Sequence, residues 1–123
     1  VSFSIKEVAE MLGIPPHTIR YYEKEGVLPS IGRDPHGNRM FEQKDLEWMD
    51  IMMWLRATGM SVAVIRQMVE LAAKGVSTIP ERKAILEQHK LELQRKQVEL
   101  DKANEAVDKK LSIYESLLTG NPN

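Results

Sequence analysis

Cysteine is absent from this 123-residue chain, which excludes disulfides, thiolate metal sites and thiol redox chemistry together. Positive charge is not in excess either: 17 Lys and Arg stand against 18 Asp and Glu, for a net charge of -1 and a pI near 6.4. Composition alone therefore speaks against a nucleic-acid binder, and any such case must rest on where the cations sit. The N-terminal third is no richer, since Lys6, Arg20, Lys24, Arg33 and Arg39 are matched there by Glu7, Glu10, Glu23, Glu25 and Asp34. No apolar run approaches the roughly 20 residues a membrane span needs, and no charged start leads into an apolar signal core. A cytoplasmic protein without a membrane partner is expected. His17, His36 and His89 are too scattered for a metal site, and no nucleophile–base pair, Gly-rich phosphate loop or paired carboxylates can be recognised. Neither metal, cofactor nor enzymatic activity is expected.

What is present begins with Ser4-Ile5-Lys6-Glu7, which has capping-box spacing and opens a helix whose apolar face is Val8, Ala9 and Leu12. Gly13 stops it, and Ile14-Pro15-Pro16 forms a tight joint to a second short helix, so the pair reads as a helix-turn-helix. On that second helix His17, Arg20, Tyr21 and Lys24 share one face, a row of donors and cations with an aromatic hydroxyl, while Ile19 and Tyr22 turn toward a core. A donor-rich helix face of this kind suits an anionic partner such as double-stranded DNA. Beyond Gly26 helical periodicity is lost. The turn-forming Pro35-His36-Gly37-Asn38 between Arg33 and Arg39 predicts a small β-hairpin, a wing. Helical pattern returns at Asp45–Leu55, closed by Gly59, and Ser61 caps another helix ending at Gly75. Trp48 and Trp54, in the Met-rich first helix of this pair, are candidates to line an effector pocket, although large apolar groups at helical spacing more often form core.

Thr78-Ile79-Pro80-Glu81 reads as a second capping box, and from Glu81 to Leu118 there is neither Gly nor Pro. A single helix is expected there. Leu86, Leu93, Leu100, Val107 and Tyr114 recur every seventh residue, with Lys90, Gln97, Asn104, Leu111 and Leu118 at the complementary seam position. Such a seam implies a partner helix, and the simplest partner is a second copy of the chain, with Asn104 helping to fix register. The expected interface is Leu86, Leu93, Leu100, Asn104, Val107, Leu111 and Tyr114.

Taken together, Ser4-Ile5 through Val8-Ala9, Gly13-Ile14, Thr18-Ile19-Arg20-Tyr21-Tyr22-Glu23, Gly26, Leu28, Arg33, Gly37-Asn38-Arg39 and Asp45-Leu46 resemble the MerR family of bacterial transcription regulators in order and spacing. The resemblance implies a mainly α fold: a winged helix-turn-helix with a supporting helical pair over residues 1–75, and a dimerisation helix over 76–118 forming an antiparallel coiled coil. A tail covers 119–123. It implies a homodimer on a pseudo-palindromic promoter operator, controlling RNA polymerase by twisting and bending the DNA. His17, Thr18, Arg20, Tyr21, Lys24, Arg33, Asn38 and Arg39 are the DNA-binding residues expected from the helix face and the family pattern together. Leu55 to Ser61 and Ser77 to Arg82 are similar to a short subgroup with aldehyde-sensing members, but Trp54 stands where that subgroup has its cysteine. The inducer is therefore unknown. Pro15 replaces the family's usual hydroxyl residue before the recognition helix, and Asn38 its usual wing tyrosine. Two alternatives compete with promoter regulation: an architectural or excisionase-like DNA-binding protein, and a coiled-coil adaptor that binds no DNA.

Overall fold

The structure, a computed structural model, describes residues 1–120; the last three residues of the expected tail lie outside the described part. Helix α1 (Ile5–Leu12) opens with the reciprocal cap read from the sequence. The Glu7 amide donates to Ser4 Oγ at 3.2 Å, and the Ser4 amide donates to Glu7 Oε1 at 2.9 Å. Gly13 ends the helix at φ 69°, a left-handed conformation that costs a residue with a Cβ roughly 1–2 kcal/mol. Helix α2 (Pro16–Lys24) then starts without a side-chain cap, from an extended Pro15 whose carbonyl accepts the Thr18 amide at 3.0 Å. Val8 of α1 and Ile19 of α2 are both fully enclosed. Tyr22, expected beside Ile19 in the core, is only half-buried.

The hairpin forms as β1 (Gly32–Arg33) and β2 (Arg39–Met40), antiparallel, with Gly32 opposite Met40 and Arg33 opposite Arg39. A pairing not foreseen extends it. Phe3 and Phe41 exchange backbone hydrogen bonds of 2.7 and 2.9 Å, tying the chain's start to the base of the wing, with Phe41 fully buried. Three residues ahead of Ser4 are too few to show strand alternation.

Helix α3 (Gln43–Ala57) begins before the expected Asp45, because the nearly buried Asp45 carboxylate reaches back to accept the Glu42 amide at 2.8 Å. Ser61 caps α4 (Val62–Ala73) through the Val64 amide at 3.2 Å. Met49, Met52 and Ile65 are fully enclosed, so much of the methionine-rich stretch is core.

A 3-10 turn (Val76–Thr78) leads directly into α5 (Ile79–Leu118), a 40-residue helix about 60 Å long at the usual rise. Thr78 is thus not the helix cap that its spacing with Glu81 suggests. Its hydroxyl lies 2.6 Å from the Leu71 carbonyl and 2.8 Å from that of Gly75, while Arg82 donates to Thr78 Oγ1 at 3.0 Å and to the Gly75 carbonyl at 2.9 Å. The turn before α5 is already helical, and the Thr78 hydroxyl is turned instead to the carbonyls of Leu71 and Gly75, which also accept the Lys74 and Thr78 amides at 3.0 and 3.1 Å. Those bonds belong to the first of two compact units, which runs from Val1 to Ile85; the second starts at Leu86. On the second, Arg95 bridges Glu92 at 3.1 Å and Glu99 at 2.6 Å along the helix surface. None of the described helices is long and apolar enough to cross a membrane.

Candidate nucleic-acid interface

Helix α2 is anchored at its middle and just past its C-terminal end, and its anchors decide which side faces outward. Ile19 locks the middle into the core. At the C-terminal end Arg66 of α4 donates from Nε to the Glu25 carbonyl at 2.8 Å, with its Nη2 3.5 Å from the Glu25 carboxylate. Trp48 of α3 donates its indole N–H to the Val27 carbonyl at 2.8 Å. The terminal carbonyls of Tyr21, Tyr22 and Glu23 accept the backbone amides of Glu25, Val27 and Gly26, and the carbonyls just past the helix are held by side chains of the supporting pair. His17, Arg20, Tyr21 and Lys24 are all exposed, whereas Thr18 is half-buried. Tyr21 leans on Tyr22, with ring centroids 6.2 Å apart and planes at 54°, which steadies the exposed phenol on a rigid stem.

The wing sits against the same helix. Arg33 and Arg39 both turn back to Glu23 of α2: Arg39 donates from Nε at 3.0 Å and Nη2 at 2.8 Å, and Arg33 Nη2 lies 3.3 Å away, all on the single oxygen Oε1. A groove of about 490 Å³ runs between the start of α1, α2 and the wing, lined among others by Ser2, Lys6, Arg20, Arg33, Asn38 and Arg39. Lys6 lies outside the set expected from sequence. Its place in the first turn of α1 gives no hint of that, because only the fold brings this turn beside the wing.

Asp34 organises the wing's tip. Its Oδ1 accepts the amides of His36 and Asn38, each at 2.9 Å, and its Oδ2 accepts from Asn38 Nδ2 at 3.3 Å. The Asn38 amide hydrogen bond is the leading reason that the Asp34 carboxyl titrates below its ordinary value. Asn38 stands exposed at the tip, but its side-chain N–H is engaged in holding the turn. Sequence reasoning missed Asp34 and Glu23 because acidic residues count against an anion-binding surface until their partners are seen.

Trp48 and Trp54 do not come together. Trp48 is half-buried by its bond to Val27, and Trp54, on another face of α3, is 66% exposed. Of the expected dimer residues, Leu86 is half-buried and Asn104 exposed, while Leu93, Leu100, Val107, Leu111 and Tyr114 are exposed apolar groups on α5. Lys110 lies over the Tyr114 ring at 5.1 Å from its centroid.

Comparison with known proteins places this geometry. The family model described as MerR HTH family regulatory protein matches residues 3–72, and that described as MerR, DNA binding matches residues 46–109. An HTH-type transcriptional regulator of Haemophilus influenzae is 36% identical over 94% of this chain and 85% of its own length. The HTH-type transcriptional regulator ZntR of Escherichia coli is 30% identical over 85% of this chain and 79% of its own. Among solved structures, that of HiNmlR, a MerR family regulator lacking the sensor domain and bound to promoter DNA, superposes with a TM-score of 0.87 at 34% identity. It covers 99% of this chain and 97% of that one.

Proposed function

The chain belongs to the MerR family of helix-turn-helix transcriptional regulators, and from that premise we propose that it works as a homodimer gripping a dyad in promoter DNA. It is a DNA-binding transcription regulator. In the proposed arrangement each α2 enters the major groove with Arg20 toward the bases, while Tyr21, Lys24 and the wing's Arg33 approach the phosphates on either side. Two copies joined along α5 hold two recognition helices at a fixed distance. An operator whose half-sites are slightly mismatched to that distance must twist or bend to satisfy both. Transcription is then set by the distortion, which changes how RNA polymerase meets the promoter elements. The protein acts in the cytoplasm, on DNA, as a binder rather than a catalyst. It does not sense through a thiol of this chain, which holds no cysteine.

The observation that carries this reading is the convergence of Arg20, Arg33 and Lys6 on one groove of a chain with no net positive charge. Charge sorted in space can do what bulk composition does not. The test is binding to a duplex enriched by the protein from a random-sequence pool, measured from low to moderate salt. Affinity should fall linearly in log–log form as phosphate-bound counterions return, with a slope near -0.9 for each phosphate contacted. A flat salt response, or failure to enrich any dyad, overturns the reading in favour of a coiled-coil adaptor.

A further inference from the structure

Both wing arginines bind one carboxylate oxygen, and they do so unequally. Arg39 delivers two hydrogen bonds to Glu23 Oε1, at 2.8 and 3.0 Å, with its side chain only 19% exposed. Arg33 reaches the same oxygen at 3.3 Å and the Gly37 carbonyl at 3.3 Å, with its side chain 45% exposed. The short pair is a charge-assisted bond from a guanidinium fork in a partly desolvated place; the long pair is weak by geometry and open to solvent. We propose that Glu23 is the positioning residue of the interface: through Arg39 it fixes the wing against α2, and it lends its remaining hold to Arg33, which leaves it for a DNA phosphate. This rests on the DNA-binding reading above and goes beyond it, because it assigns the two arginines different roles.

The argument turns on what each side chain can give up. For Arg39 to meet a phosphate it must surrender two short bonds to an acid that would stay behind, half-buried and short of a partner. Arg33 surrenders two long ones, and Glu23 keeps Arg39. A phosphate offers Arg33 a full negative charge and two oxygens placed for its planar fork, a better acceptor than a carboxylate oxygen already shared and a backbone carbonyl. The wing therefore contributes one exchangeable cation per subunit, not two. Glu23 also accounts for an oddity of composition, an acid in the middle of the surface that must approach DNA. Its charge is consumed by Arg39, so what it presents outward is a fixed distance and not a repulsion. Held at that distance, the wing and α2 meet DNA as one rigid unit, and an operator is distinguished from other sequences by fitting it.

Three variants separate the roles: Arg33→Gln, Arg39→Gln and Glu23→Gln, each as the full chain. The probes are the enriched duplex and a scrambled duplex of the same composition, with thermal melting to verify the fold. Arg33→Gln should lower the salt slope by about 1.8 for the dimer, two phosphate contacts at 0.9 each. Arg39→Gln and Glu23→Gln should leave the slope on either duplex unchanged, while lowering the ratio of enriched to scrambled affinity by about tenfold, the loss of one charge-assisted bond's worth of positioning. Combined, those two should cost little more than either alone, because each removes the same clamp. A slope that falls with Arg39→Gln as it does with Arg33→Gln makes Arg39 a phosphate contact and overturns the proposal. So does tighter, steeper binding by Glu23→Gln, which would make Glu23 a mere countercharge. Should Arg39→Gln melt early, Arg39→Lys keeps the charge without the fork: under the proposal it lowers the ratio, and a wild-type ratio sinks it. Failure of the wild-type chain to bind either duplex would instead overturn the DNA-binding reading itself, a different result from any of these.

Discussion

The hydrogen bonds of Asp34 stay within its own turn, yet the shape of the wing depends on them. Its carboxylate accepts from two backbone amides and the Asn38 side chain, and these bonds are to the charged form. They hold its pKa below the ordinary 3.8, so its stabilising effect is fully present above that value and is lost as pH falls through the depressed native pKa. Titration of the His36 and Asn38 amide resonances should give a shared midpoint below 3.8; one at or above it would mean that the turn does not rest on the carboxylate. Arg20 is the opposite kind of residue, exposed on α2 and with no structural duty evident. Arg20→Ala should weaken binding to the enriched duplex by about 1–3 kcal/mol per subunit, as loss of a base contact does. Its effect on stability should stay within about 0.5 kcal/mol, the range for surface positions, and unchanged affinity would take Arg20 out of the interface. Arg20 was legible in sequence because helical spacing alone puts it on the face opposite Ile19. Asp34 and Glu23 were not, because their meaning lies in partners that only the turn and the wing bring near.

At the scale of elements, the segment Glu25 to Val27 is where the supporting pair takes hold of the recognition helix. Arg66 of α4 holds the Glu25 carbonyl, Trp48 of α3 holds that of Val27, and between them Gly26 turns the chain at φ 75°. Trp48→Phe keeps an aromatic ring but removes the N–H and the second ring of the indole, so it should cost about 1–2 kcal/mol in denaturant unfolding, the usual net value of one hydrogen bond with a small loss of packing. Because Arg66→Ala loosens the same three residues, the double variant should cost less than the sum by about 0.5 kcal/mol or more. Strict additivity would show that the two anchors act separately. Here too the sequence tells part of the story. Local signals in Ser4, Gly13 and Ser61 mark where helices begin and end, since a cap acts within four residues of itself. The links from Trp48 to Val27 and from Arg66 to Glu25 span more than one element, and no spacing rule encodes them. Thr78 is the reverse case, where a local capping pattern yields to the carbonyls of Leu71 and Gly75, which the fold sets beside its hydroxyl.

At the scale of the whole molecule, the apolar row on α5 is left uncovered by the rest of its own chain. Leu100 is 58% exposed and Val107 57%, so in a single chain these side chains support no core. A row of large apolar groups repeating every seven residues on a long helix is stable in water only against another helix. This makes Leu100→Asp a discriminating change. It should leave the thermal stability of the N-terminal unit near the wild-type value, because no core is disturbed, while shifting the protein to monomer in sedimentation equilibrium. Binding should follow for a reason unrelated to any DNA contact. In the proposed dimer, the second recognition helix reaches its half-site at the effective concentration set by the link through α5, an advantage of about 10²–10⁴ in affinity over a lone half. The variant should therefore bind the dyad duplex as weakly as a single half-site, with both affinities equal, whereas the wild type separates them widely. A variant that remains dimeric would refute the seam through Leu100. One that becomes monomeric yet keeps the wild-type preference for the dyad would show instead that the DNA assembles the pair.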